Sequence, residues 1–174
     1  MTDLNEQVLQ AWDTHQQMFF LLFDAIEPDA FAGKPTGMSG RSIGNIFAHV
    51  NNQRFEWIKV SAPELIDGLI RIPVKSKAER GAIRKDQLRP ALEQSGAAMR
   101  QMFANALDKG KLKGQKTPIM TMYSYMIAHE WYHIGEVGMT LTLAGYKLDE
   151  QTAWGIWSWG RWTPSGAAPA DQES

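Results

Sequence analysis

Three histidines and two glutamates carry the chemistry that this sequence offers. His129 and His133 enclose Glu130 in "HEWYH", a match to the H-E-x-x-H pattern of zinc peptidases. On a helix, residues four apart lie about 40° apart around the axis and one turn along it, so both imidazoles can face one ion. His49 falls on the inward face of an earlier helical segment, among Ile46, Val50 and Trp57. Two ligands from one helix and a third from another make a three-histidine metal site with positions left open for water or substrate. Buried without a metal, each ring would need its own hydrogen-bond partners. Neutral imidazole suits a divalent ion such as zinc or nickel, and with no cysteine in the chain thiolate ligands and disulfides are excluded.

Glu136 lies seven residues after His129, which returns it to the histidine face within about 20°. There it can accept a hydrogen bond from an imidazole or take a proton in catalysis. It can equally sit as a solvated charge on a dimer surface. Glu130 is the second candidate base. Gln53 and Glu56 follow His49 at four and seven residues on its face; either could line the same pocket, and exposed surface is the expectation for both. His15, on the apolar stripe between Trp12 and Phe19, has no spaced partner and is expected to be structural.

Four amphipathic segments must position these groups, at about residues 3–27, 42–60, 86–107 and 119–144. Pro28 stops the first. Ser39 or Ser42 can cap the second, Pro90 is expected in the first turn of the third, and Gly145 ends the fourth. The stretch between the second and third has no period. No strand pattern competes, so the expected fold is an all-α four-helix bundle with a Trp-rich C-terminal extension. Four of the seven tryptophans, Trp154, Trp157, Trp159 and Trp162, lie in that extension. The expected domain covers residues 1–163, and 164–174 read as a disordered tail.

A chain of 174 residues suffices for one domain with its own core. Its 18 basic and 19 acidic residues give a net charge of −1, which argues against a general nucleic-acid binder. The N-terminus lacks the pattern of a secretory signal, and no apolar run approaches a membrane span, so a cytoplasmic protein is expected.

In a zincin, Glu130 would be the general base for an attacking water and a third ligand would follow downstream. After His133 comes "IGEVGMTLTLAG", without the metzincin extension and without a later long helix to deliver a glutamate. Another pattern covers nearly the whole chain. A histidine late in the second helix ("IGNIFAHVNNQRFEW"), H-x-x-x-H-x-G-[QE] in the fourth ("HEWYHIGE") and the Trp-rich end resemble the DinB/YfiT superfamily. The chain departs from it at Glu136, where Gln is common. The resemblance implies a four-helix bundle, often a homodimer, binding a divalent metal through His49, His129 and His133. It also implies a small-molecule substrate and a low-molecular-weight thiol as cosubstrate, in S-transfer or isomerisation. Tryptophans near the mouth of the site, with Arg161 beside them, would line the substrate pocket. The activity expected is thus metal-assisted transfer or hydrolysis on a small molecule. The alternatives are a non-enzymatic ligand-binding or stress-response bundle, and the zinc peptidase.

Overall fold

A computed structural model describes residues 3–37 and 39–158 of the chain. The chain is all-α: among the described residues there are six α-helices, two short 3-10 turns and no strand. The four long helices correspond to the four periodic segments. They are α1 (Leu4–Ala25), α2 (Ile43–Ser61), α4 (Lys85–Lys109) and α5 (Ile119–Leu143). Two short helices join them, α3 (Lys77–Gly81) before α4 and α6 (Glu150–Gly155) near the end. The described residues divide into two compact units, one of residues 27–147 and one of the described residues before and after it.

The central unit is a helical bundle in which α2 packs on both α4 and α5. The apolar faces that drive this are Ile46, Val50 and Ile58 on α2, Leu88, Leu92, Met99 and Phe103 on α4, and Met122, Met126 and Val137 on α5, all buried. Each large side chain among them contributes about 1.5–3 kcal/mol by leaving water. Ser42 caps α2, its hydroxyl accepting from the Asn45 N–H. A Schellman motif closes α5: Gly145, at φ 86°, donates to the Thr142 carbonyl, and Tyr146 donates to that of Leu141 at 2.9 Å. Pro90 is the sixth residue of α4, a turn later than expected, because α4 begins at Lys85.

Two charged side chains lie inside this apolar packing. The Arg54 Nε and Nη2 donate to the two carboxylate oxygens of Glu130 at 2.7 and 2.5 Å, and Nη1 donates to the Leu92 carbonyl at 3.0 Å. Both side chains are wholly removed from solvent. One guanidinium therefore ties α2, α4 and α5 together.

The stretch without a period is a strap along α2. The Asn52 side chain donates to the Ile72 carbonyl at 2.8 Å and accepts from the Ile72 N–H at 2.9 Å, as a neighbouring strand would. Asn51 donates to the Ile70 carbonyl at 2.8 Å. The strap ends in α3, which carries a capping box between Ser76 and Glu79.

In the terminal unit, α1 buries Trp12, His15, Met18, Phe19, Leu22 and Phe23. The His15 ring lies 5.3 Å from that of Trp12 and 6.4 Å from that of Phe19, as expected for a structural histidine. Gly155 of α6 lets Leu21 approach, since a Cβ there would meet its Cδ2 at 3.1 Å. Trp154 and Trp157 are largely exposed. Trp159, Arg161, Trp162 and the expected tail at 164–174 lie outside the described residues.

Removing one partner of the buried pair strands the other charge. Arg54→Met or Glu130→Leu alone is expected to lower unfolding free energy by about 3–5 kcal/mol, whereas the double substitution recovers most of that loss. Urea denaturation of the three variants checks this.

Candidate metal centre

The bundle brings His49 of α2 against His129 and His133 of α5. Ring centroids are 5.4 Å apart for His49 and His129, 4.7 Å for His49 and His133, and 4.6 Å for His129 and His133. One ring nitrogen from each lies within 4.8 Å of the other two. The spacing along α5 accounts for one pair, and the packing of α2 on α5 supplies the third ring.

The rings are held in the form a metal needs. His133 Nδ1 lies 2.8 Å from Glu136 Oε2. An imidazole nitrogen facing a carboxylate carries the proton, so His133 donates through Nδ1 and turns the Nε2 lone pair toward the other rings. Arg41, in the loop before α2, holds Glu136 in turn, with Nε at 3.0 Å from Oε1 and Nη2 at 2.5 Å from Oε2. Its Nη2 also lies 3.1 Å from His133 Nδ1, both donors converging on Oε2. The Glu136 carboxyl is held below the usual range: burial raises it, and the hydrogen bonds and charges of Arg41 and His133 outweigh that.

Burial lowers the His49 pKa to about 4, aided by the repulsion that a second positive charge would meet from His133, Arg41 and His129, and opposed by Glu136. Burial, with His133 next, also lowers that of His129. Both are neutral bases at pH 7, the ligating form. His129 has no orienting carboxylate. Among the described residues its buried Nδ1 has no hydrogen-bond partner, and the ring stacks on Tyr125 at 5.7 Å and 25°.

These residues fit a divalent metal. The Nε2 atoms of His129 and His133 are 3.2 Å apart, and two nitrogens at about 2.0–2.1 Å from a tetrahedral ion would be separated by roughly 3.3 Å. With the His133 proton on Nδ1, its Nε2 faces His129 as a lone pair, the arrangement a cation satisfies.

Glu130, expected beside the histidines as a base, has both oxygens taken by Arg54 in the buried pair. It stands on the face of Met126 and Ile134, which points into the packing. Glu56 is exposed, as expected, and Gln53 is half-buried; both line a cavity of about 660 Å³ together with His49 and Arg41. Glu56 sits at its rim, paired with Arg71 at 3.2 Å. The sequence reading missed Arg41 and Arg54. Arg54 had a signal, since it follows Val50 by four residues on the apolar stripe of α2. Arg41 had none, because loops carry no period.

The fold and site define a class: an all-helical protein that gathers three histidines from two packed helices into a site able to hold a divalent ion. The chain belongs to the DinB family, whose profile matches residues 1–154. Comparison with curated proteins and with solved structures gave no match.

Two outcomes follow. Glu136→Gln keeps an acceptor for His133 but removes the charge, and is expected to weaken zinc or nickel binding by roughly 10–100-fold, measured by competition with a chromophoric chelator. In the metal-free chain His49 binds its proton more weakly folded than unfolded. Its contribution to stability is therefore present above about pH 6.5 and is lost as pH falls toward about 4. The lowered His129 and Glu136 act in the same direction. Urea titrations across that window should show a slope shallower by up to about one proton in His49→Gln.

Proposed function

We propose that this protein is a metal-dependent enzyme of small-molecule chemistry, a thiol S-transferase or a hydrolase. The observation that carries the reading is the convergence of three imidazoles beside a ligand-sized cavity that reaches His49. His49, His129 and His133 would hold the ion, and a nitrogen-only set without thiolate suits zinc or nickel. When bound, such an ion lowers the pKa of a thiol or water and so supplies a nucleophile at neutral pH.

The two glutamates take different parts in this proposal. Glu136, fixed by Arg41, keeps the proton on His133 Nδ1 and makes that ring a stronger ligand. Its lowered pKa makes it a weak base, so the nucleophile's proton passes to solvent through the cavity. Glu130 positions the site by holding α5 to α2. The peptidase reading needs the Glu130 carboxylate free beside an attacking water, and the buried Arg54 speaks against it.

A low-molecular-weight thiol is the cosubstrate this reading favours, and a cytoplasmic setting keeps such thiols reduced. Among the described residues no helix is long and apolar enough to cross a membrane. A homodimer is part of the proposal. Tyr125, Tyr132 and Met139 stand seven residues apart on α5 and are all exposed, an apolar stripe suited to a partner helix. A non-enzymatic ligand-binding bundle is the competing reading.

Untagged protein is expected to carry about one zinc or nickel ion per chain, measured by mass spectrometry and lost in both His49→Ala and His133→Ala. Consumption of an electrophile in the presence of thiol should vanish in the same variants. Metal retained by His49→Ala would sink the three-histidine site. A metal whose binding is intact while no thiol or water transfer is seen would favour the ligand-binding bundle.

A further inference from the structure

The cavity beside His49 has a second chemical character, away from the imidazoles. One wall is α2; the other is the loop before it and the strap with α3. Five basic side chains line it, Lys34, Arg41, Arg71, Lys77 and Arg80, against the single carboxylate of Glu56. Arg71 is neutralised by Glu56, and Arg41 by Glu136 behind the wall. Lys34, Lys77 and Arg80 make no ion pair among the described residues, so three positive charges remain in a chain whose net charge is −1.

Arg80 is also pre-set. Its Nη1 donates to the main-chain carbonyls of Val74 at 2.8 Å and Lys75 at 3.0 Å. These neutral acceptors fix the guanidinium plane and leave its charge uncompensated. The edge formed by Nε and Nη2 has no partner among the described residues. A guanidinium anchored on one nitrogen with a free two-donor edge matches the geometry of a carboxylate or phosphate. The Arg80 carbonyl accepts from the Asn45 side chain of α2 at 3.4 Å, which links this residue to the wall that carries His49.

We propose that Lys34, Lys77 and Arg80 form an anion subsite that holds a carboxylate or phosphate group of the small-molecule substrate or cosubstrate while its reacting end meets the histidines. The assignment rests on the functional reading above and narrows it: the substrate class is anionic, and its charge is recognised on the strap. The cavity volume is that of a drug-sized ligand, large enough for a molecule with a charged end and a reactive end.

The test titrates the full chain, zinc-loaded and metal-free, with inorganic phosphate, succinate and neutral glycerol. The Arg80 Nε–H and the main-chain amides of residues 74–83 are followed by NMR, and zinc content is measured in the same samples. Saturable shifts at Arg80 with phosphate or succinate but not glycerol, in both metal states, are expected. The dissociation constant should rise about tenfold or more in Arg80→Gln, and further in Lys77→Ala/Arg80→Gln. Arg80 is exposed, so its replacement leaves the fold intact. Linear shifts without saturation, shifts spread equally over Lys109, Lys111 and Lys113, or affinity unchanged in Arg80→Gln would each overturn the subsite. Binding seen only with zinc and indifferent to Arg80→Gln would assign the anion to the metal and also overturn it. Failure of zinc to bind, with the Arg80 response intact, would instead count against the metal reading and leave the subsite standing.

Discussion

The central unit depends on one buried ion pair. Taking a guanidinium and a carboxylate out of water costs several kcal/mol per ion, and only a bidentate geometry with further acceptors offsets it. Arg54 and Glu130 meet that condition through two parallel hydrogen bonds, with the Leu92 carbonyl receiving a third donor. Hydrophobic faces could slide past one another at small cost; a two-point fork cannot. Arg54 is five residues from His49 on α2, and Glu130 lies between His129 and His133 on α5. The fork thus fixes the axial register of the two helices whose imidazoles must converge, and the tight ring spacing follows from it.

A second fork works at the edge of the site and differs in kind. Arg41 and Glu136 are partly exposed, at 39% and 28%, so their pairing is screened and contributes less to stability. What it supplies is orientation. The carboxylate is aimed at His133 Nδ1, and the loop before α2 is thereby linked to the tautomer of an imidazole on α5. One pair sets where the helices lie, the other sets which nitrogen lone pair faces inward.

Much of this was legible before the structure. The long helices follow from apolar residues at three- and four-residue spacing, and their ends from Ser42 and Gly145, whose hydrogen-bonding and left-handed roles are local. The histidine trio was legible because i, i+4 spacing is local and His49 sits on an inward stripe. The partner of Arg54 was not, since nothing in a sequence records which of the acidic residues 76 positions away will meet it. The anomaly itself was visible: Arg54 and Glu130 each interrupt an apolar stripe, and two such interruptions of opposite sign invite pairing. Glu130 read as catalytic because a motif of five letters says nothing of the direction its second residue faces. The strap was opaque for another reason. Its backbone hydrogen bonds go to the side chains of Asn51 and Asn52 rather than to a repeating ladder, so it has no period to detect. With the strap unseen, the face of Gln53 and Glu56 had no opposite wall, so the cavity between them and the strap was not legible.

That strap separates two tasks along the chain. It supplies none of the three imidazoles and neither member of the buried pair, and its own order comes from α3's capping box and a few asparagine contacts to α2. Its buried anchor is Ile72, held by Asn52, while Arg71, Val74, Lys77 and Arg80 face the cavity. The residues that gather the histidines and the residues that form the far wall of the cavity are thus carried by different stretches of chain. A change in the strap would therefore reshape the cavity without touching an imidazole or the buried fork.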